Sequence, residues 1–368
     1  MKVIHILVEL KFSGAEIMYV DAANVFKNKG CELTVMATAQ NIGEYAPYFE
    51  RAGYKVIHWP FPRLKNYLAR IRFYKNFYSF IVKEGYDVVH IHSLWAMWGL
   101  SLCARLAKKH SVFTFHNVYP SKALTHPYYI ALRWTAKYLF NCKFHTISDS
   151  VYNHELGYYY NKTVKIYNWY GFDRFYPAEE HEKVTTREQL GIKPNDFVLI
   201  SVGGCSNIKR HSEIIKALKI VEETIPNFLY LHLGTGTAEE EEMELAKKLG
   251  LYDKIKFCGN QHEVRKFLIA SDVYLMPSRF EGIPITTIEA MACEIPAILY
   301  DVPGLRDFNS QGVNSILIPE DYKILADKIV YVYNNRADAH ELASRGRHFV
   351  NEHFNMISNA AKIFDLYH

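Results

Sequence analysis

The chain has 368 residues, 49% of them apolar and 22% charged, which exceeds one ordinary core and implies two globular domains. No apolar run approaches the ~18 residues that span a bilayer, and the opening stretch Met1–Val8 is too short for a secretory leader and lacks its cleavage site. The net charge of +4 divides unevenly: residues 1–170 hold 21 Lys and Arg against 10 Asp and Glu, and the remainder holds 22 against 29. A basic first half suits an anionic partner, either a membrane surface or a phosphorylated acceptor; a nucleic acid has no motif behind it beyond the charge.

Short β-branched or aromatic runs alternate with longer helical patterns, which predicts parallel α/β units. Strands are expected at 3–8, 32–38, 55–58, 87–92, 111–116, 143–147 and 164–167. The series restarts near residue 197, after an aromatic-rich crossing at 167–177, with strands at 198–203, 229–234, 255–258, 273–276, 297–300 and 315–318. A last helical pattern covers roughly 338–368. Two doubly wound sheets in tandem place ligands at the carboxyl ends of strands, in a cleft between the domains.

The loops after strands therefore carry the search, beginning with Ser13-Gly14-Ala15-Glu16. Gly14 can let a phosphate approach a helix start, or it can be a plain turn with Ser13 as the helix N-cap. Within 63–82, Leu64, Leu68, Ile71, Tyr78 and Ile81 form one apolar stripe at helical spacing. Phe73, Phe77 and Phe80 form a second, near Arg63 and Arg70. The phenylalanine and arginine face can sit in a lipid headgroup layer; a helix packed on both sides is the alternative reading. His90 and His92 form an H-x-H pair with no third metal ligand placed by spacing, so ordinary strand-end residues are the simpler reading. His116 ends its strand, where it can meet a sugar hydroxyl, act as acid or base, or be satisfied locally.

In the second half, Gly203 and Gly204 lead through a turn to Lys209 and Arg210, an arrangement that can hold a diphosphate between backbone N–H groups and cations. The spacing is not that of a nucleoside-triphosphate loop, and a solvated helix start is the alternative. Gly234-x-Gly236 is half a dinucleotide fingerprint and weak by itself. The most informative stretch is Glu281-Gly282-Ile283-Pro284-Ile285, followed by Glu289: strand, tight loop, then helix. Pro284 is expected in the first helical turn, where free N–H groups favour an anion. Two carboxylates beside such a site suit a ligand that combines phosphate with many hydroxyls. No Asp-x-Asp occurs, so the common acidic device for a divalent cation on a nucleotide diphosphate is missing. The six cysteines are widely spaced and read as reduced thiols.

Taken together these motifs resemble the family 4 glycosyltransferases of the GT-B fold, most specifically through the E-x7-E element over Glu281–Glu289. The resemblance implies two Rossmann-like domains facing across a cleft. The N-terminal acceptor-side domain would cover 1–172, the donor-binding domain 173–350, and a C-terminal helix, 351–368, would return to the first domain. It also implies transfer of a hexose from a nucleotide diphosphate sugar, UDP-linked or GDP-linked, to a glycan or lipid-linked saccharide in cell-surface polysaccharide synthesis. Configuration would be retained and no metal or other cofactor needed.

By the same resemblance Gly14 lies against the donor diphosphate and Lys209 binds its oxygens. Glu281, with the backbone of Gly282, Ile283, Pro284 and Ile285, holds the hexose, and Glu289 holds the ribose. His116 sits beside the transferred sugar, and the loop around Asn260 meets the base. Gly203, Gly204, Gly234 and Gly236 belong to the same donor site. The family's usual arginine is absent at Gly204, a gap that Arg210 is expected to fill in part. Rival readings are a nucleotide-sugar epimerase of the same fold and a weakly active sugar-nucleotide-binding subunit. A cytoplasmic protein is expected, its basic half approaching an anionic membrane face.

Overall fold

The computed structural model describes residues 1–62 and 66–368. Thirteen strands form among the described residues, within two residues of their expected positions. The central ones are short apolar runs buried on both faces, whereas two edge strands, Lys55–His58 and Val164–Lys165, are not buried. They are β1 Lys2–Leu7, β2 Glu32–Ala37, β3 Lys55–His58, β4 Val88–Ile91, β5 His110–Phe115, β6 Cys142–Thr146 and β7 Val164–Lys165 in a first sheet. The second contains β8 Phe197–Val202, β9 Phe228–Leu233, β10 Ile255–Gly259, β11 Val273–Met276, β12 Ala297–Tyr300 and β13 Ile316–Ile318.

The first sheet has the order β3-β2-β1-β4-β5-β6-β7 and the second β10-β9-β8-β11-β12-β13. Every pairing between these strands is parallel. In each sheet the chain reverses its direction of progress once, at β1/β4 and at β8/β11. Loops diverge at that point, so it is where an open α/β sheet receives a ligand.

The chain divides into two compact units, Met1–Gly171 with Met356–His368, and Phe172–Asn355. The aromatic crossing packs its first part into the first unit, where Trp169 is buried and its indole N–H donates to Met18 O at 2.7 Å. The expected last helix is in fact two, Arg336–His353 and Met356–Asp365. The break falls at Phe354, which is buried against Phe308 and Phe349 with ring centroids 5.9 Å from each. No glycine or proline marks the site, so the periodic pattern conceals it. The second of these helices belongs to the first unit, where the Tyr367 hydroxyl lies 2.8 Å from His90 Nδ1.

The helix Tyr67–Lys83 decides between the two stripes of the 63–82 pattern, of which Arg63 and Leu64 lie outside the described residues. Phe73 and Phe77 point inward, and Phe73 packs on Trp59 and Phe61 at 5.4 and 4.9 Å. Leu68 and Ile71 are 81% and 65% exposed and Tyr78 is exposed too, whereas Ile81, expected in the same stripe, is buried like Phe73 and Phe77. The first part of the aliphatic stripe, not the phenylalanine face, meets solvent. A buried ion pair supports the far side of the first sheet. Glu155 accepts from Arg133 Nε and Nη2 at 2.7 and 2.8 Å and from Asn161 Nδ2 at 2.7 Å.

Candidate donor and histidine sites

In the second unit the loops after β8 and β11 meet. Lys209 N donates to Ser206 O at 3.0 Å, closing a turn that brings its side chain back over Gly203. A Cβ at Gly203 would stand 3.2 Å from Lys209 Cε, so the glycine leaves room for the lysine stem. Arg279 N donates to Ile208 O at 2.9 Å and ties the β11 loop to the β8 loop. Across that tie, Lys209 Nζ lies 2.7 Å from Glu281 Oε1, with the two side chains 21% and 14% exposed.

Glu281 is held from behind by the loop after β12. Its N–H donates to Pro303 O at 3.0 Å. Gly304 has φ +83°, and a Cβ there would fall 2.3 Å from Glu281 O. Only glycine adopts that conformation without cost while the two backbones touch.

Pro284 is the N-cap of the helix Ile285–Ala292, one place earlier than expected, and no side chain caps that end. The helix is pinned to the sheet by hydroxyls: Thr286 Oγ1 donates to Val202 O at 3.1 Å, and Thr287 Oγ1 to Tyr274 OH at 3.2 Å. Glu289, one helical turn further on, is buried. The arrangement therefore presents an ammonium, a carboxylate and an uncapped helix start on adjacent loops, a set that can receive a phosphate and sugar hydroxyls.

The other residues expected in the second unit lie nearby. Gly234 and Gly236 press on the β8 loop: Cβ atoms there would fall 2.0 Å from Gly203 O and 2.2 Å from Cys205 O. Their spacing is what allows two loops to share that space. Gly204 would meet Thr235 O at 3.3 Å. Arg210 adopts a left-handed conformation with φ 55° and turns to other partners, pairing closely with Glu320 and lying over Tyr300 at 5.4 Å. Asn260 is exposed after β10, next to Gly259, whose carbonyl accepts from Gly234 N at 2.9 Å.

In the first unit Gly14 opens the helix Gly14–Asp21, and Ser13 occupies the N-cap position without capping through its side chain. Its hydroxyl bonds to the Glu16 carboxylate instead. Burial pushes the Glu16 carboxyl up to about 7, against the downward pull of that hydroxyl and of its own N–H.

Around the β1/β4 switch point the interior is built from histidines. His116 Nε2 lies 2.9 Å from His92 Nδ1, and His92 Nε2 lies 3.1 Å from His5 Nδ1. His90 Nε2 reaches Thr114 Oγ1 at 2.8 Å, which in turn reaches His145 Nε2 at 2.6 Å. Burial lowers the His116 imidazole to about 4 and those of His5 and His145 to about 3, so the network is neutral at physiological pH. His5, His90 and His92 also place ligand atoms within 4.8 Å of one another, so the H-x-H pair has a third neighbour after all. The ring nitrogens of His90 and His92 are nevertheless engaged with Tyr367, Thr114, His116 and His5.

Sequence reasoning passed over His5, Glu16 and Thr286. A lone polar residue inside the buried run of β1 was the available signal for His5.

Two parallel-sheet units of this topology, with the second sheet's switch-point loops arranged in this way, define a GT-B glycosyltransferase. A sequence profile of "Glycosyltransferase Family 4" matches residues 12–201, and one of "Glycosyl transferases group 1" matches residues 182–349. The chain belongs to glycosyltransferase family 4. It is 27% identical over 333 residues to EpsD of Bacillus subtilis strain 168, itself only inferred to be a glycosyltransferase, covering 88% of this chain and 85% of that protein. It is 25% identical over 308 residues to the UDP-Gal:alpha-D-GlcNAc-diphosphoundecaprenol alpha-1,3-galactosyltransferase of Escherichia coli, covering 79% of this chain and 78% of that one. Its fold is similar to that of Alr3699/HepE from Anabaena in complex with UDP, with a TM-score of 0.84 at 18% identity and 99% of each chain covered.

Proposed function

We propose that this glycosyltransferase moves a hexose from a nucleotide diphosphate sugar, UDP-linked in preference to GDP-linked, to a glycan or lipid-linked saccharide of a cell-surface polysaccharide. The observation that carries the reading is the 2.7 Å Lys209–Glu281 pair beside the start of the helix Ile285–Ala292. A diphosphate entering there competes for the Lys209 ammonium, and Glu281 is released to accept hydroxyls of the sugar. The leaving diphosphate is then neutralised by Lys209 and the helix start, with no metal required at that position. Glu289 holds the ribose, the backbone of Gly282 and Ile283 lines the sugar, Gly14 meets the diphosphate and Asn260 meets the base.

His116 acts from the first unit as an uncharged hydrogen-bonding group toward the transferred sugar. The relative from Escherichia coli supports a UDP-linked donor and a lipid diphosphate acceptor, since both appear in its name. We further propose retention of anomeric configuration and action at a cytoplasmic membrane face. The exposed Tyr67, Leu68, Ile71 and Tyr78 of the basic unit would touch the lipid there. No described helix is long and apolar enough to cross a membrane.

The test is transfer from a panel of UDP- and GDP-hexoses to undecaprenyl-diphosphate saccharides, with no metal added and the product anomer read by NMR. A retained linkage, and donor binding that Lys209→Ala weakens, are the expected results. Isomerised donor in the absence of acceptor, or binding indifferent to Lys209, would overturn the reading.

A further inference from the structure

Behind the loop that carries Lys209 lies a second polar cluster that the donor site does not use. Cys205 follows β8, His211 begins the helix His211–Val221, His232 lies in β9, and Glu242 sits in the helix Glu239–Lys248. All four are buried, and each places a ligand atom within 4.8 Å of the others. Glu242 Oε2 is 3.0 Å from His232 Nε2, and Cys205 Sγ is 3.9 Å from the same nitrogen. The edges of a tetrahedron with bonds of ~2.0–2.3 Å are about 3.3–3.8 Å long, so sub-ångström shifts close the shell.

One histidine of this cluster differs from the buried histidines of the first unit, each of which has a partner on at least one ring nitrogen. His211 has no hydrogen-bond partner at either ring nitrogen, its Nδ1 standing 3.6 Å from Glu242 Oε1, and His232 Nδ1 has none. His232 already turns its Nε2 toward the thiol and the carboxylate, and a fully buried His211 with both nitrogens vacant beside them is costly unless something fills the space between the four groups. Residues of four elements converge here, and one sulfur, two nitrogens and one oxygen suit zinc or a similar divalent ion.

We propose that Cys205, His211, His232 and Glu242 form a structural site for a divalent cation of the zinc class. On binding, the Cys205 thiol releases its proton to solvent and both imidazoles ligate neutral. Thiolate and carboxylate then balance the dipositive ion, leaving no net buried charge. Of the four, Glu242 also lines a cavity of about 390 Å³, whose wall carries Glu213 and Glu241 as well as Arg210, Lys216 and Arg279. Cys205 and His211 flank Lys209, so the ion anchors both ends of its loop. That consequence rests on the donor-site reading above, whereas the metal binding does not.

The test uses the full chain, stripped of metal and titrated with Co²⁺ and then Zn²⁺. One equivalent of cobalt is expected to bring up ligand-field bands together with a thiolate-to-cobalt charge-transfer band. One equivalent of zinc should bleach both and raise Tm to a plateau. Cys205→Ser is expected to lose the charge-transfer band, which separates this site from the sulfur-free trio of His5, His90 and His92. No band and no Tm change in the wild-type chain, a measurement that needs no variant to fold, would overturn the proposal. So would an unchanged spectrum in Cys205→Ser. Donor binding by the metal-free chain is scored separately, so failure of one reading is distinguishable from failure of the other.

Discussion

Two ion pairs, one in each unit, share a length of 2.7 Å and differ in almost everything else. Arg133 and Glu155 are 2% and 0% exposed, and Glu155 is saturated by Arg133 and Asn161 while the Arg133 guanidinium stacks 3.5 Å over Tyr159. Lys209 and Glu281 are 21% and 14% exposed and stand on loops at a switch point. The first pair has no capacity left for a ligand and serves the core. The second is a point charge with unused donors against a carboxylate with unused lone pairs, so an incoming anion can exchange for one partner. Bond length alone therefore does not tell a structural pair from a functional one; surroundings and remaining hydrogen-bond capacity do.

The sharpest way to break this contrast is to cut both pairs and compare stability. Glu155→Ala leaves a buried guanidinium uncompensated and should cost about 3–5 kcal/mol in denaturant unfolding. Glu281→Ala should cost about 1 kcal/mol or less, because its pair is partly solvated. Equal losses would dissolve the distinction.

Function should invert the order. Lys209→Ala is expected to lower kcat/KM for transfer by about 10²–10³, as when a single group facing developing charge is removed. His116→Ala should reduce transfer by a larger factor than it weakens donor affinity by calorimetry. If Lys209→Ala changes only Tm, the pair is structural after all.

Glu16 sharpens the comparison from a third side, as a buried carboxyl with no cationic partner within bonding distance among the described contacts. Its value of about 7 in the folded chain exceeds the ordinary 4.5, so folding favours the protonated form. Below pH 4.5 both states are protonated and the group costs nothing. Between pH 4.5 and 7 the unfolded chain ionises first and stability falls, by roughly 3 kcal/mol in all. Glu16→Gln should remove that slope and be the more stable protein at pH 8 in urea titrations. An unaltered slope would place the origin elsewhere. At Gly304, where φ is +83° and a Cβ would meet the Glu281 backbone, Ala should cost about 1–3 kcal/mol. Donor affinity should fall with it, since Glu281 rests on that backbone.

Much of this was legible in the chain. Buried parallel strands announce themselves as apolar runs, and Glu281, Glu289 and Lys209 stand out by spacing after such runs. What was not legible depends on side chains converging from separate elements. Nothing in the order of residues shows that Lys209 meets Glu281, that Arg210 turns to Glu320, or that His5 completes a trio with His90 and His92. The helix break at Phe354 escaped because no glycine or proline marks it in the sequence. The exposed face of Tyr67–Lys83 escaped because two apolar stripes of similar strength compete, and only Trp59 and Phe61 decide which one is covered.

The return of Met356–His368 to the first unit bears on how the protein is made. Val3, Val89 and Phe115 leave the ribosome long before Ala360, Ile363 and Tyr367, which share their buried unit. All of residues 172–355 are synthesised in between. The first unit must therefore wait, with its His90 nitrogen and the apolar surface beside Phe26 uncovered, while the second can already complete its core. During translation the order of completion is the reverse of the order of the units in the chain, and the nascent first unit is the part that needs protection from aggregation.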